Sequence, residues 1–140
     1  MPFTISLALA LSAVFNQSPP PVAPVFVPQA QTIKEYVQEY FADVPIMVDI
    51  SKCESHFRQY SSSGAVYRGV KNNQDVGVMQ INERYHLDTT KKLGIDIYTV
   101  EGNVAYARYL FEKEGVAPWA SSQPCWGKTK NAKILALATK

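Results

Sequence analysis

The chain has 140 residues, a formal net charge of +2 and a sequence pI of about 8.5. This length is sufficient for one domain, and its 46% of hydrophobic residues can build an ordinary globular core. So mild a charge balance excludes the concentrated basic face of a typical nucleic-acid-binding protein, and we expect no nucleic-acid partner.

The N-terminal part of the chain is uncharged and apolar. The first charged side chain is Lys34, and residues 3–15 form an apolar run of 13 residues. A membrane-spanning helix needs about 20 apolar residues, whereas a run of this shorter length is typical of a secretory signal peptide. No Lys or Arg precedes the run, and no A-x-A cleavage site follows it. We expect residues 1–17 to be a signal peptide or an N-terminal apolar segment.

A proline-rich segment comes next. Residues 18–30 contain five prolines, which remove backbone donors and prevent a stable helix or central strand. We therefore expect residues 18–31 to be a linker and residues 32–140 to be a single domain without internal repeats. A leader followed by a linker predicts an exported protein that is extracellular, periplasmic or associated with the cell envelope.

Two helices are expected at the start of the domain. Thr32 and Glu35 have the spacing of a capping box, and apolar residues recur at helical spacing behind them. Pro45 suits the first turn of a second helix, which should end near residues 55–57. Glu54 would then face the negative end of the helix dipole, which disfavours ionisation. A carboxyl with a raised pKa is what general acid catalysis needs.

The middle of the domain is less regular. Residues 61–76 carry turn signals on both sides of a strand-like stretch and predict a short, irregular hairpin. Residues 77–82 should lead into a short helix. Residues 87–97 are polar and basic and predict a connection.

The C-terminal part begins with a clear helix signal. Thr99 can cap a long helix that runs to about Glu114 and stops at Gly115. Residues 117–127 predict a loop or short turn. The last ten residues predict one more helix.

The cysteines and histidines limit the covalent and metal chemistry. Cys53 and Cys125 are the only two cysteines, and in an exported chain they permit one disulfide. Such a bridge would contribute roughly 4 kcal/mol in the chain-entropy model. The alternative is two free, buried cysteines. Two cysteines and two histidines at scattered spacing form no zinc motif, so we expect no metal and no cofactor.

Three motifs follow one another along the domain: Glu54-Ser-His-Phe, Gly77-Val-Met-Gln-Ile-Asn and Asn103-Val-Ala-Tyr-Ala-Arg-Tyr-Leu. Together they resemble the soluble lytic transglycosylase and goose-type lysozyme superfamily. Its members carry E-S-x-F at a helix end, then G-[LV]-M-Q-[IV], then N-[IV]-x-x-[AG]-x-x-Y-L. Residues 79–86 are also similar to the M-Q-V-D-x-x-Y-H run of goose-type lysozyme. The resemblance covers about residues 32–126.

The resemblance implies both a fold and a reaction. The fold would be α+β but predominantly α, lysozyme-like, with a small β-hairpin lobe and a central substrate cleft. The reaction would be cleavage of the MurNAc–GlcNAc β-1,4 bond of peptidoglycan, with Glu54 as single acid and base and 1,6-anhydro-MurNAc ends as products. Peptidoglycan glycan strands would be the partner of a monomeric enzyme.

The resemblance also implies a set of substrate-binding residues, although one part of the pattern is missing. The set comprises Ser55, Gln80, Asn82, Tyr85, His86, Tyr109 and Trp119. Many transglycosylases end the cleft with A-Y-N-x-G, whereas this chain has Pro118-Trp-Ala-Ser-Ser-Gln and lacks that tyrosine. A bond between Cys53 and Cys125 would tie this segment beside the helix that carries Glu54.

Two other functions remain open from the sequence. A hydrolytic, goose-type-like muramidase would need a second carboxylate, because glycosidases usually use two. Goose-type enzymes have Asp after M-Q-V, but this chain has Asn82, whose amide cannot act as a base, so we favour the transglycosylase. Asp75 and Glu83 are the remaining candidates for that carboxylate. A non-catalytic peptidoglycan-binding module is the second alternative.

Overall fold

The computed structural model describes residues 30–138, so the predicted signal peptide and nearly all of the predicted linker lie outside the described residues. The described part is mostly helical, with one small antiparallel sheet, and this confirms the predominantly α class. Its elements in chain order are α1 (Ile33–Tyr40), α2 (Ile46–Ser55), β1 (Asp75–Val76), β2 (Ile81–Asn82), α3 (Glu83–Lys92), α4 (Val100–Glu114), a 3₁₀ helix (Ala117–Ser122), α5 (Gln123–Trp126) and α6 (Lys130–Ala138).

The first two helices begin and end where local signals predict. The Thr32 hydroxyl accepts from the Glu35 amide at 3.2 Å, and the Glu35 carboxylate accepts from the Thr32 amide at 2.9 Å. This is the predicted capping box of α1. Helix α2 starts directly after Pro45 and ends at Ser55. His56 and Phe57 follow with φ of 55° and 62°, and this left-handed backbone stops the helix one residue beyond Glu54.

The hairpin differs from the sequence expectation. Strand β1 pairs with β2 around the turn at residues 77–80, so the hairpin spans residues 75–82 and only its first strand lies within the predicted residues 61–76. Residues 61–74 contribute only to isolated bridges, Tyr60 with Val66 and Arg68 with Val76. The tight turn is possible because Gly77 and Gln80 adopt positive φ, 74° and 50°. The expected helix after this segment begins at Glu83.

The predicted polar connection at residues 87–97 is partly wrong. Helix α3 continues to Lys92, and its sequence looks polar because Thr90 is its only fully buried residue. The connection therefore shrinks to residues 93–99, which begin with a turn at Gly94, where φ is 67°. Helix α4 follows as predicted: the Thr99 hydroxyl accepts from the Gly102 amide at 3.0 Å, and Gly115 ends the helix with φ of 62°.

The segment predicted as a loop at residues 117–127 is instead mostly helical, with the 3₁₀ helix followed by α5. Pro118 and Pro124 stand in the first turns of these two pieces, where a missing amide proton costs nothing. The disulfide between Cys53 and Cys125 is present, with their Cα atoms 6.0 Å apart, so this expectation is confirmed. It joins α2 to α5.

The core forms around α2, which packs against α1, α5, α6 and the 3₁₀ helix. The turn between the strands enters the same core, because its apolar side chains Val78 and Met79 are fully buried. Other fully buried members are Val37, Phe41, Met47, Ile50, Val76, Val104 and Ala107. Among residues 30–138, no helix combines the length and hydrophobicity needed to cross a membrane.

Candidate active site

Glu54 lies in the last turn of α2 with its carboxyl largely removed from solvent. Burial raises the pKa of this carboxyl, because water no longer solvates the charged form. The Ser122 hydroxyl donates to Oε1 at 2.6 Å and opposes the rise, while the negative charge of Asp75 adds to it. The net shift is upward, so the protonated acid persists to higher pH than in an exposed glutamate.

A polar pocket opens over Glu54 between the strand pair, α3, α4 and the 3₁₀ helix. It brings together five of the predicted site residues and one of the two candidate second carboxylates, Asp75. The lining residues are Glu54, Asp75, Gln80, Ile81, Asn82, His86, Leu110, Pro118, Trp119 and Ser121.

Asp75 and Asn82 face each other across the strand pair, where they are register partners. The Asn82 amide donates to Asp75 Oδ1 at 2.7 Å, and the Asn72 amide donates to the same oxygen at 3.2 Å. The amide oxygen of Asn82 is buried and has no hydrogen-bond partner among the described residues. An unpaired buried acceptor at a pocket wall is suited to a ligand N–H or O–H group.

Gln80 and His86 give the pocket two further polar side chains. Gln80 has φ of 50°, a left-handed conformation that is costly for a residue with a Cβ, and its side-chain amide donates to the Gly77 carbonyl at 2.8 Å. His86 has Nδ1 3.0 Å from the Tyr106 hydroxyl. Burial lowers the pKa of His86, because it disfavours the charged imidazolium.

Trp119 and Ser55 are held inside the protein rather than presented to solvent. Trp119 is 3% exposed, and its indole N–H donates to the Met79 carbonyl at 2.9 Å. Ser55 is fully buried, and its hydroxyl donates to the Val78 carbonyl at 2.7 Å. The two side chains therefore bond to neighbouring carbonyls of the turn between the strands, and only Trp119 also borders the pocket.

Tyr85 and Tyr109, two other predicted substrate contacts, do not line this pocket. Tyr85 is 75% exposed, and the Tyr109 hydroxyl accepts from Lys113 Nζ at 2.9 Å. Glu83 also lies outside it, in an ion pair with Arg68 at 2.8 Å that lowers the pKa of Glu83. Of the two candidate second carboxylates, only Asp75 shares the pocket with Glu54.

Three residues that the sequence reasoning did not select support the site. The Gln59 side chain accepts from the Val78 amide at 2.8 Å, and the Asn103 side chain accepts from the Met79 amide at 2.8 Å. Asn103 also donates to two backbone carbonyls, so it ties α4 to the turn. Asn103 opens the third motif, which was a usable signal. Gln59 and Ser122 carry no local signal, because their partners are remote in the sequence.

Comparisons with protein-family models, with curated proteins and with solved structures find no match to this chain. Within residues 30–138, no group of three or more His, Cys, Asp or Glu side chains is arranged to hold a metal ion. The chemistry that this geometry permits is proton transfer, because the partly buried carboxyl of Glu54, whose pKa is raised, lies at a polar pocket that Asp75 also lines.

Proposed function

We propose that this protein is a peptidoglycan lytic transglycosylase with a lysozyme-like fold that cleaves the MurNAc–GlcNAc β-1,4 bond. The observation that carries the proposal is Glu54, whose partly buried carboxyl lines a polar pocket and has a raised pKa. Its sequence context supports the same reading, because the E-S-x-F segment ends α2 and the turn of the G-V-M-Q-I-N segment packs against it.

In the proposed reaction, Glu54 acts twice. Its proton passes to the glycosidic oxygen as the bond from that oxygen to C1 of the muramyl sugar breaks. The resulting carboxylate then accepts the proton of the muramyl C6 hydroxyl, whose oxygen bonds to C1 and closes a 1,6-anhydro ring. No water is consumed, and Glu54 ends protonated. The raised pKa suits both steps, since general acid–base catalysis is most effective when the pKa lies near the working pH.

Substrate binding would use the polar walls of the pocket. The unpaired amide oxygen of Asn82 is an acceptor for an N–H or O–H group of the sugar. Gln80 and His86 add polar groups on the same side of Glu54. The neighbouring Asp75 charge would favour the positive charge that develops at C1 as the glycosidic bond breaks.

We also propose that the protein is exported and works on the cell wall outside the cytoplasm. The disulfide between Cys53 and Cys125 supports this, because such bonds persist mainly in oxidising compartments. The uncharged, apolar N-terminal segment supports it independently.

A hydrolytic muramidase is the second candidate function, and Asp75 is the observation that favours it. Asp75 shares the pocket with Glu54 and is anchored by two side-chain amides. A carboxylate so held could orient or deprotonate a water molecule, which two-carboxylate glycosidases require. The two reactions differ in their products, because hydrolysis leaves a reducing end and adds one water molecule.

Mass spectrometry of digested peptidoglycan distinguishes these functions. The transglycosylase predicts muropeptides that are one water molecule lighter than those from a hydrolysing lysozyme used in parallel. Fragments with ordinary reducing ends would instead establish the muramidase and direct attention to Asp75. Intact peptidoglycan that nevertheless sediments with the protein would favour the non-catalytic binding module.

A further inference from the structure

The 3₁₀ helix places one hydroxyl directly on the Glu54 carboxyl. Ser122, the last residue of this helix, donates to Glu54 Oε1 at 2.6 Å and lies 3.1 Å from the Trp119 carbonyl. A hydroxyl has a single proton, so the two acceptors compete for it. The shorter distance and the charge of an ionised carboxylate favour Glu54. Glu54 itself lines the pocket, and among the described residues its Oε2 accepts no hydrogen bond.

The disulfide lies close to this hydrogen bond in both segments of the chain. Cys53 immediately precedes Glu54, and Cys125 follows Ser122 by three residues. The covalent bond and the hydrogen bond therefore join the same two short segments. A further contact stiffens the second segment, since the Trp126 indole N–H donates to the Trp119 carbonyl at 3.0 Å.

We infer that Ser122 is the positioning residue of the catalytic carboxyl and that the Cys53–Cys125 bond holds it there, so that cleavage at this site requires the oxidised disulfide. The inference rests on the proposed function of Glu54. It assigns to a serine on the 3₁₀ helix the hydrogen bond to the acid, in a segment that lacks the tyrosine of the A-Y-N-x-G pattern.

The disulfide is open to reduction in the folded protein. Cys125 is exposed, and the bond borders a surface pocket that Lys52 and His56 also line. Dithiothreitol can therefore attack it without unfolding: its first thiolate displaces one cysteine sulfur, and its second closes the oxidised ring and releases the other. Two electrons and two protons pass to Cys53 and Cys125. The segment that carries Ser122 is then held by non-covalent contacts alone.

The surroundings of Glu54 make the effect on its titration predictable. Asp75 on β1 and His86 on α3 are the titratable groups that share its pocket, and the 3₁₀ helix carries no charged side chain. The Ser122 hydrogen bond favours the ionised form of Glu54 and lowers its pKa against the effect of burial. Loss of the bond must therefore move the Glu54 titration to higher pH.

The test follows the δ-carbon of Glu54 by NMR in protein labelled with ¹³C-glutamate, with Glu54→Gln to assign the resonance. Ser122→Ala should move the titration to higher pH, and Ser122→Thr, which keeps a hydroxyl, should restore it. Ser62→Ala is the control, because Ser62 is an exposed serine that does not line the pocket of Glu54. An unchanged titration in Ser122→Ala would overturn the inference.

Reduction supplies the second arm of the test. Dithiothreitol should shift the Glu54 titration of the wild-type protein in the same direction as Ser122→Ala, and should add nothing in Ser122→Ala itself. The kcat for peptidoglycan cleavage should fall roughly tenfold or more in both cases, as expected for a misplaced acid. A reduced protein with unaltered titration and kcat would overturn the role of the disulfide. Unfolding on reduction would also overturn this role, since the disulfide would then stabilise the whole fold rather than position Ser122.

The titration needs no substrate, so the two hypotheses fail separately. A shift in Ser122→Ala within a protein that leaves peptidoglycan intact would overturn the proposed function and leave Ser122 as the partner of Glu54. Cleavage that persists in Ser122→Ala, together with an unchanged Glu54 titration, would overturn the role of Ser122 and leave the proposed function standing.

Discussion

At the scale of single residues, the proton of Glu54 is controlled by opposed influences. Burial and the Asp75 charge raise the pKa of its carboxyl, and the Ser122 hydroxyl lowers it. If cleavage needs protonated Glu54, activity is lost as the pH rises through this raised pKa. This loss forms the alkaline limb of the pH–activity profile. Substitution of a neighbour that shifts the pKa of Glu54 should shift the pH of this limb in the same direction.

Asp75→Asn should move the alkaline limb to lower pH. The substitution removes a negative charge that raises the pKa of Glu54 but keeps an oxygen to accept from Asn82. The measurement is kcat/KM against pH, and Asp88→Asn on the exposed face of α3 is the control that should leave the limb in place.

The size of the Asp75→Asn effect separates the two candidate reactions. In the transglycosylase, the rate at low pH should stay within about tenfold of wild type, because Asp75 acts only through its charge. A loss of roughly a hundredfold or more at all pH values would identify Asp75 as a catalytic base and contradict the single-carboxylate mechanism.

At the scale of elements, the turn between β1 and β2 depends on side chains from distant parts of the chain. Gly77 has φ of 74°, and a Cβ at this position would collide with Asn103 and Gln59. Those two side chains bond to the backbone of the turn, and Ser55 bonds to it from the end of α2. The turn is thus fixed against the same helix that carries Glu54.

Asn103→Ala should cost about 3 kcal/mol in the free energy of unfolding, because it leaves the buried Met79 amide without its partner and removes one donor each from the Val76 and Ile97 carbonyls. Denaturant unfolding measures this cost. Asn131→Ala is the control, since Asn131 is less buried and its amide bonds Asp49 near the surface. Equal costs for the two substitutions would contradict the assigned role of Asn103.

The contrast between local contacts and contacts remote in sequence explains which elements could be predicted. Thr32, Thr99 and Gly115 act on residues within four positions of themselves, so the helix ends they cause were predictable. The sequence pattern puts the hairpin too early, because its turn is held by Gln59 and Asn103, whose contacts local patterns do not reveal. The 3₁₀ helix escaped prediction because a tryptophan bond to Met79 fixes it.

At the scale of the whole molecule, the disulfide joins α2, which carries Glu54, to the C-terminal part of the chain across a sequence separation of 72 residues. Its existence could be predicted, since only two cysteines are present. The first two motifs supplied three of the residues that line the pocket, Glu54, Gln80 and Asn82. The partner of Glu54 could not be predicted, because Ser122 reaches it only through the fold of the last third of the chain.

Replacing both cysteines with serine should lower the free energy of unfolding by roughly 4 kcal/mol, the chain-entropy cost of a loop of this length. Thermal unfolding monitored by circular dichroism should show a lower Tm for the double variant. Reductant should lower the Tm of the wild-type protein and leave that of the double variant unchanged. Equal Tm values for wild type and double variant would contradict a stabilising role of the bond.

The central claim is that the carboxyl of Glu54 supplies the proton, and its most direct test is the release of soluble muropeptides by Glu54→Gln. The matched control is Glu112→Gln, at an exposed position of α4. The folded-state pKa of Glu54 is raised, so its ionisation costs stability as the pH rises, and Glu54→Gln should melt no lower than wild type at neutral pH. We predict that Glu54→Gln loses a factor of about 10² to 10⁴ in rate while Glu112→Gln keeps wild-type activity. A folded Glu54→Gln protein that releases muropeptides within about tenfold of the wild-type rate would contradict the account.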